Sequence, residues 1–289
     1  MTANKLYYAG LDLGSTMTKV VITDDTDAII ARVETHTGAE HRRLANKVME
    51  QALAQASLAL TQLEYIVATG YGRINVPFAD RQLTELSCHA RGLSAFFPTA
   101  RTGLDIGGQD AKGLRLDDKG RLVNFVMNDR CAAGTGRYLE VVAETLGLKL
   151  DDMGPVSLSA KNKATISSTC TIFAQTEMIA RLSEGVPIEE IVAGLHEAIA
   201  SRTVNMLRRV GIKPDVVFTG GVARNTGVVA AVQEKLGMEL LVPEDPLISG
   251  ALGAAILGRE LSEKAQAKGD TLAKAERKLK EATFFHGEQ

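Results

Sequence analysis

The sequence predicts an α/β fold of two domains in which a strand–turn–strand unit occurs twice. Residues 11–19 and 104–112 align without a gap at a constant offset of 93 positions, so that Asp12 falls on Asp105 and Lys19 on Lys112. In each of these two segments, short apolar runs end at glycine, and a helix-like stretch follows later in the sequence. Self-similarity at a fixed offset indicates an internal duplication. We therefore expect the same β-hairpin turn in both halves of the molecule.

The first half is predicted as strands that end at turns, with amphipathic helices between them. Runs of β-type residues predict strands at residues 8–13, 19–23, 29–35 and 65–69. Apolar residues four apart from Leu44 to Leu60 put one stripe on a helix over residues 41–60. A second helix, residues 81–96, ends before Pro98, because a residue before proline disfavours helical geometry. The repeat then adds strands at residues 102–106, 112–116 and 122–128.

The second half is more helical. Helices are expected at residues 135–146, 171–183, 188–210, 225–236 and 250–261, and strands at residues 215–219 and 239–242. We place the domain boundary near Cys131. The first domain then comprises residues 1–130 with a returning helix near residues 248–262, the second comprises residues 131–247, and residues 263–289 form a charged extension.

Composition excludes several classes of function. A chain of 289 residues that is 45% hydrophobic is long enough for one large or two medium globular domains. Its net charge of -2 implies no general affinity for nucleic acid or anionic membranes. Tryptophan is absent and only 4% of residues are aromatic, which argues against stacking on bases. With no apolar run of membrane-spanning length and no signal segment, we expect a soluble cytoplasmic protein.

The two repeated turns have the composition of phosphate-binding turns. Glycine lets backbone N–H groups approach phosphate oxygens, because no side chain stands in the way. Asp12 and Asp105 are suited to hold Mg²⁺, mostly through water, and Lys19 can reach the same anion. Gln109 is placed to orient an attacking water. Either turn alone is more often an ordinary β-turn, but two in matching register favour phosphate binding.

A third glycine-rich element, residues 218–225, ends a strand in Gly220-Gly221 and leads into a helix, which lets a ligand sit against the backbone. Two other nucleotide-binding patterns fail. No P-loop pattern is present, and Leu139 stands where a Rossmann fingerprint beginning at Gly134 needs its third glycine.

The three cysteines are far apart in the sequence, which argues against a disulfide framework. Cys88 lies in a helical stretch and is interpreted as a small buried hydrophobe. Cys131 and Cys170 each stand beside a predicted helix start. Two thiols are too few for an iron–sulfur cluster, which commonly takes four, but a twofold dimer supplies four. Neither cysteine lies in a zinc-type Cys-x-x-Cys or Cys-His spacing, although a Cys₄ zinc site shared by a dimer stays an alternative.

With these residues assembled, the chain resembles the ATP-dependent activators of 2-hydroxyacyl-CoA dehydratases, which are grouped with the ATPase subunits of benzoyl-CoA reductase. The resemblance extends from Gly10 to about Gly258, and the segments around Cys131 and Cys170 are its most specific part. The matching stretches are residues 11–16, 68–73, 85–90, 105–110, 128–137, 167–171 and 219–223.

The resemblance implies an actin-like ATPase fold of the ribonuclease H-like kind that binds ATP or ADP with Mg²⁺. It implies a dimer, of identical or related ATPase subunits, that holds one [4Fe–4S] cluster through Cys131 and Cys170 of each subunit. A ferredoxin or flavodoxin would donate the electron, and an acyl-CoA dehydratase or reductase component would accept it. Catalytic roles fall on Asp12, Asp105 and Gln109. Nucleotide contacts are expected from Gly14, Ser15, Thr16, Lys19, Gly107, Gly108, Thr135, Gly136, Gly220, Gly221, Val222 and Asn225.

Two other functions compete with this one. A small-molecule kinase of the same superfamily would form a phosphorylated product and hold no iron, and a nucleotide switch or metal scaffold would bind without turnover. Residues after about 258 depart from the shorter activators. They are either a docking element of a stable complex or an exposed extension.

Overall fold

The computed structural model describes residues 5–128, 132–166 and 171–279, and they divide into two compact units. Unit 1 comprises the chain up to Pro98, Gly120–Leu122 and the chain from Leu247 onward, and unit 2 comprises Thr99–Lys119 and Val123–Pro246. The boundary between the units falls at Thr99 and not near Cys131, because the second copy of the repeated hairpin pairs with a strand from the second half of the chain. The described residues after 262 belong to unit 1 and are not a separate segment.

Unit 1 is a five-stranded sheet between helices. Its strands are β1 (Tyr7–Leu13), β2 (Met17–Asp24), β3 (Ile29–His36), β4 (Leu63–Thr69) and β5 (Arg81–Gln82), in the order β3-β2-β1-β4-β5. The first three are antiparallel neighbours, whereas β4 runs parallel to β1 and to β5. The helices of unit 1 are α1 (His41–Ala56), α2 (Glu85–Phe96) and α8 (Ser249–Lys268). Side chains alternate across a strand, so β1 packs Ala9 and Leu11 with α1 and Tyr8 with α2 and α8.

Glycine sets how closely α8 approaches its neighbours. A Cβ at Gly10 of β1 would overlap the carbonyl oxygen of Ala251, and one at Gly253 would overlap the carbonyl oxygen of Cys88 on α2. The small residues at the start of α8 are therefore required for close packing.

The sheet of unit 2 repeats the first with fewer strands. Its strands are β6 (Thr102–Ile106), β7 (Ala111–Leu116), β8 (Leu122–Asn128) and β9 (Val216–Thr219), in the order β8-β7-β6-β9, with β6 antiparallel to β7 and parallel to β9. The strand predicted at residues 239–242 is reduced to one parallel bridge between Leu241 and Val217. The helices of unit 2 are α3 (Gly136–Leu146), α4 (Met153–Leu158), α5 (Thr171–Ser183), α6 (Ile188–Val210) and α7 (Thr226–Leu236).

Three predicted helices have clearly different ends in the structure. The helix expected over residues 41–60 ends at Ala56, because Ser57 adopts the left-handed region with a φ of 54°. The helix expected over residues 81–96 begins at Glu85, because Arg81–Gln82 pairs with β4 as β5 and the Thr84 hydroxyl caps the helix. The last helix runs on to Lys268 and ends at Gly269, whose φ of 73° closes it in the left-handed region. None of the described helices is both long and apolar enough to cross a membrane.

The chain after Gly269 packs back onto unit 1. We call residues 270–279 the C-terminal strap. Both guanidinium ends of Arg277 bond the Asp80 carboxylate at 2.7 Å, and the side chain of Asp80 is fully buried. The amides of Ala275 and Ile66 also donate to Asp80, at 2.7 Å each. The described part of the extension is therefore anchored on unit 1 and does not project as a free tail.

The strap gives a stability prediction. Arg277→Met leaves the Asp80 carboxylate buried without its counter-ion, so we expect the free energy of unfolding to fall by about 3–5 kcal/mol. The matched control is Lys274→Met, which breaks the more exposed pair with Glu64 and should cost about 0–1 kcal/mol. Denaturant unfolding of the two variants measures the difference. Equal stability of the two would show that the Arg277–Asp80 pair does not anchor the strap.

Candidate functional site

The first repeated turn joins β1 to β2 and contains a charged pair whose carboxylate is buried. The strand register sets Asp12 opposite Lys19, and the Lys19 ammonium bonds Asp12 Oδ2 at 3.0 Å. The amide of Gly14 donates to the Met17 carbonyl at 3.2 Å and closes the turn. Ser15 is exposed at its tip. This turn presents backbone and hydroxyl groups to solvent beside a carboxylate held in one orientation.

The parallel neighbour β4 adds a threonine and a glycine to this carboxylate. Thr69 lies next to Asp12 in the strand register, and Gly70 follows with a φ of 85°. A Cβ at Gly70 would overlap Asp12 Oδ1. Glycine is needed here for both reasons, because its φ is positive and the carboxylate lies against its backbone.

Unit 2 repeats the same four residue types in the same register. Asp105 lies opposite Lys112 on β7 and beside Thr219 on β9, and Gly220 follows Thr219 with a φ of 85°. The Thr219 hydroxyl donates to Asp105 Oδ1 at 3.0 Å. The predicted duplication therefore extends beyond the aligned hairpins to the parallel strand beside each one. Thr69 and Thr219 were not among the expected site residues, although a Thr-Gly pair that ends each parallel strand was a visible signal.

The second turn is the more acidic of the two. Lys112 is 3% exposed and its ammonium lies 2.7 Å from Asp110 Oδ2 and 3.6 Å from Asp105 Oδ2. Two carboxylates thus share one ammonium, which leaves net negative charge for a divalent cation. Over the described parts of the chain, no three His, Cys, Asp or Glu side chains gather into a metal cage. The carboxylates of Asp105 and Asp110 fit Mg²⁺ by their chemistry, because Mg²⁺ is usually held by one or two carboxylates with phosphate oxygens and water.

Helix α3 is attached to the second turn by its first amides. Gly136 N donates to the Gly107 carbonyl at 2.9 Å, and Arg137 N donates to the Gly108 carbonyl at 2.8 Å. Thr135 is fully buried and its hydroxyl bonds the Ala132 carbonyl at 2.7 Å. The structure thus brings Thr135 and Gly136 to the turn that contains Gly107 and Gly108. In the described contacts, Gly136 holds the start of α3 against that turn, and Thr135 is the buried residue directly before it.

Gln109 is exposed on the second turn, which suits the predicted role of orienting a water molecule. The residues of the glycine-rich element after β9 differ in exposure and in structural role. Gly221 is exposed, whereas Val222 is buried in the core of unit 2. Asn225 Oδ1 accepts from the amides of Gly227 and Val228 at 3.1 Å each, which makes Asn225 the cap of α7. Nucleotide contact by these residues stays a prediction.

A buried histidine supports this cap, and sequence patterns gave no sign of it. His196 on α6 is almost fully buried, with Nδ1 at 2.9 Å from the Ser157 hydroxyl and Nε2 at 3.5 Å from Asn225 Nδ2. Burial lowers the pKa of His196 to about 4, because the charged imidazolium would lose its hydration. The neutral side chain is therefore part of the native state at neutral pH.

This pKa predicts a loss of stability in acid. Below pH 6.5 the unfolded chain binds a proton at His196 that the folded chain refuses down to pH about 4, so the free energy of unfolding falls by about 3 kcal/mol over that window. His196→Asn keeps a polar atom near Ser157 but does not titrate, so its pH slope should be shallower by up to one proton. Urea unfolding at several pH values measures the slopes. His36→Gln, at an exposed position, is the control and should follow the wild type.

Cys131 and Cys170 lie outside the described residues. β8 ends at Asn128, three residues before Cys131, and α5 begins at Thr171, directly after Cys170. Cys88 is fully buried on α2, and burial raises the pKa of its thiol to about 12. That environment agrees with the interpretation of Cys88 as a small hydrophobe with no reactive role.

The comparison with protein families decides among the candidate classes. Residues 9–258 match the family described as the BadF/BadG/BcrA/BcrD ATPase family. The chain belongs to this ATPase family. The duplicated Asp, Lys, Thr and Gly constellations lie within the matched range, and the residues after 258 lie beyond it.

Several named relatives of the chain are dehydratase activators. The chain is 47% identical over 261 residues to the activator of lactoyl-CoA dehydratase from Anaerotignum propionicum. This alignment covers 90% of this chain and 100% of that protein. It is 45% identical over 261 residues to the 2-hydroxyisocaproyl-CoA dehydratase activator from Clostridioides difficile, in an alignment that covers 90% of this chain and 98% of that protein. These relatives support the activator interpretation and not the small-molecule kinase.

Solved structures agree on the fold. The activator of the 2-hydroxyisocaproyl-CoA dehydratase from Clostridium difficile with bound ADPNP has a TM-score of 0.85 at 43% identity, over 93% of this chain and 100% of that one. A more distant likeness to ROK family sugar kinases, with a TM-score of 0.52 at 14% identity for a glucokinase from Streptomyces griseus, concerns the fold alone. The predicted actin-like ATPase fold is confirmed.

Proposed function

We propose that this ATPase is an activator that uses ATP hydrolysis to deliver low-potential electrons to a 2-hydroxyacyl-CoA dehydratase or benzoyl-CoA reductase component. A ferredoxin or flavodoxin donates the electron. The observation that carries the proposal is the paired Asp, Lys, Thr and Gly constellation in a chain that is 45–47% identical to dehydratase activators.

Each of the two turns has its own proposed role in ATP hydrolysis. Backbone amides around Gly14–Thr16 and Gly107–Gly108 bind phosphate oxygens, with Lys19 as a further cation. In each turn the carboxylate, Asp12 or Asp105, would hold Mg²⁺ mostly through water, and Gln109 would orient the attacking water. The buried threonine at Asp105 keeps that carboxylate in one orientation, since its hydroxyl donates to Oδ1.

Cys131 and Cys170 bind the redox group. Two cysteines from each of two chains supply the four thiolates of a [4Fe–4S] cluster, which takes up and releases one electron at a time. The elements that border these cysteines support association, because Val123 and Phe125 on β8 and Phe173 on α5 are exposed apolar side chains. Phe173 leaves 64% of its surface uncovered two residues into α5. The second chain is a copy of this one or a related ATPase subunit.

The described contacts offer a short connection between ATP hydrolysis and Cys131. The amides of Gly136 and Arg137 bond the carbonyls of Gly107 and Gly108, so the start of α3 follows any movement of that turn. Cys131 is only four residues before Thr135, the residue that precedes α3. A turn that changes shape when the γ-phosphate leaves therefore moves the start of α3, which follows Cys131 by only five residues in the sequence. ATP selects the activated arrangement through its higher affinity for it.

Anaerobic purification followed by three assays tests this function. We expect release of inorganic phosphate from ATP with no added acceptor, an iron–sulfur absorption band, and an electron paramagnetic resonance signal after one-electron reduction by dithionite. The reduced sample should change that signal when ATP replaces ADP. A kinase would release no phosphate without its acceptor and would contain no iron. Either result would overturn the proposal.

A further inference from the structure

His89 lies beside the first carboxylate site but was not among the residues expected there. It is buried on α2, and its Nδ1 lies 2.9 Å from the hydroxyl of Ser249. Ser249 is the first residue of α8 and is itself fully buried. The pair therefore fixes the start of α8 to α2 in a place that water does not reach.

The residue after Ser249 connects this pair to Asp12. A Cβ at Gly250 would lie 3.0 Å from Asp12 Oδ2 and 3.2 Å from His89 Nε2. Gly250 therefore lies close to both the carboxylate and the imidazole, and a Cβ there would require these side chains to shift by a few tenths of an ångström. Any shift of Ser249 would move Gly250 and release the space against Asp12.

The Asp12 carboxylate is enclosed from three directions. Gly70 lies against Oδ1, Lys19 bonds Oδ2, and Gly250 lies against Oδ2. The first two contacts belong to the repeated constellation, whereas the third has its own support in the His89–Ser249 hydrogen bond. The amino-terminal end of a helix is also favourable for a negative charge, so the start of α8 is a favourable neighbour for the Asp12 carboxylate.

We propose that His89 is a positioning residue for the Mg²⁺–nucleotide site: by holding Ser249, it fixes Gly250 against Asp12 and keeps that carboxylate oriented toward the cation's water shell. His89 acts through Ser249 and Gly250 and does not touch the nucleotide. The inference rests on the proposed role of Asp12 in binding Mg²⁺. Loss of such outer contacts typically weakens metal binding by about 10–100-fold.

Two variants of similar shape test the roles of the two ring nitrogens of His89 separately. The amide of Asn reaches the position of Nδ1, so His89→Asn retains the bond to Ser249. The amide of Gln reaches the position of Nε2, so His89→Gln loses that bond. Ser249→Ala removes the same bond from the other side. His36→Gln, at an exposed histidine of the same unit, is the matched control.

The test is the Mg²⁺ dependence of ATP hydrolysis by the anaerobically purified full chain, with thermal unfolding of each variant in parallel. We expect His89→Gln and Ser249→Ala each to raise the apparent KM for Mg²⁺ by about tenfold with a smaller change in kcat, and His89→Asn to stay near the wild type. The double variant His89→Gln/Ser249→Ala should be no worse than either single variant, since both remove one interaction.

An unchanged KM for Mg²⁺ in Ser249→Ala, at a melting temperature near that of the wild type, would overturn the inference even if the His89 variants fail to fold. A melting temperature that falls while KM stays constant would also overturn it, because a merely structural role predicts that pattern. Absence of Mg²⁺-dependent hydrolysis in the wild type would instead overturn the proposed function on which the inference rests.

Discussion

Cys131→Ser and Cys170→Ser are each expected to abolish the visible iron–sulfur absorption while the chain still folds and binds ATP. Serine is a poor ligand for iron, and one exchange per chain removes two of the four thiolates from a shared cluster. The nucleotide turns lie on separate strands and should stay intact, because each is held by its own hydrogen bonds: Lys19 bonds Asp12, Lys112 bonds Asp110 and Thr219 bonds Asp105. Iron analysis and absorption spectra, with ATP binding measured by calorimetry, give the three quantities.

Cys88→Ala is the matched control for these variants. Cys88 is the one cysteine among the described residues, and it is fully buried on α2. Its replacement should cost some stability but leave the iron content unchanged. Full iron in both Cys131→Ser and Cys170→Ser would contradict the ligand assignment, and loss of iron in Cys88→Ala would contradict the division of roles among the three.

Asp105→Asn is expected to lower the rate of ATP hydrolysis by about 10–100-fold while the iron content stays that of the wild type. The amide has the shape of the carboxylate and can still accept from Thr219, so the exchange removes charge without leaving a cavity. With that charge gone, one carboxylate fewer lies beside the Lys112 ammonium, and the attraction of the turn for Mg²⁺ falls. Phosphate release at saturating ATP and graded Mg²⁺ measures the effect.

Asp118→Asn serves as the charge-matched control, because Asp118 is exposed in the turn between β7 and β8. Its hydrolysis rate should equal that of the wild type. Undiminished turnover in Asp105→Asn would remove Asp105 from the cation site.

Much of the fold follows from local sequence. The structure agrees with the predicted helix bounds for α5 and α6, since long amphipathic stretches with clear ends determine their own limits. The hairpins were predictable for another reason: the aligned residues 11–19 and 104–112 constrain each other. In each hairpin the expected Asp stands opposite the expected Lys.

The rest depends on partners distant in sequence. Arg81–Gln82 was expected to be helical and becomes β5 because β4 offers a free edge beside it. The domain boundary moves to Thr99 because β6 pairs with β9, more than a hundred residues later. The bond from His89 to Ser249 spans 160 residues, and no local pattern predicts a contact of that kind.

Native mass spectrometry of the anaerobically purified protein tests the central claim most directly, because it weighs the chains and the inorganic group together. The account predicts a particle of two chains with one four-iron, four-sulfide unit between them, and single chains without iron after dissociation. A single chain that retains the whole cluster, or a fully active particle without iron, would contradict it.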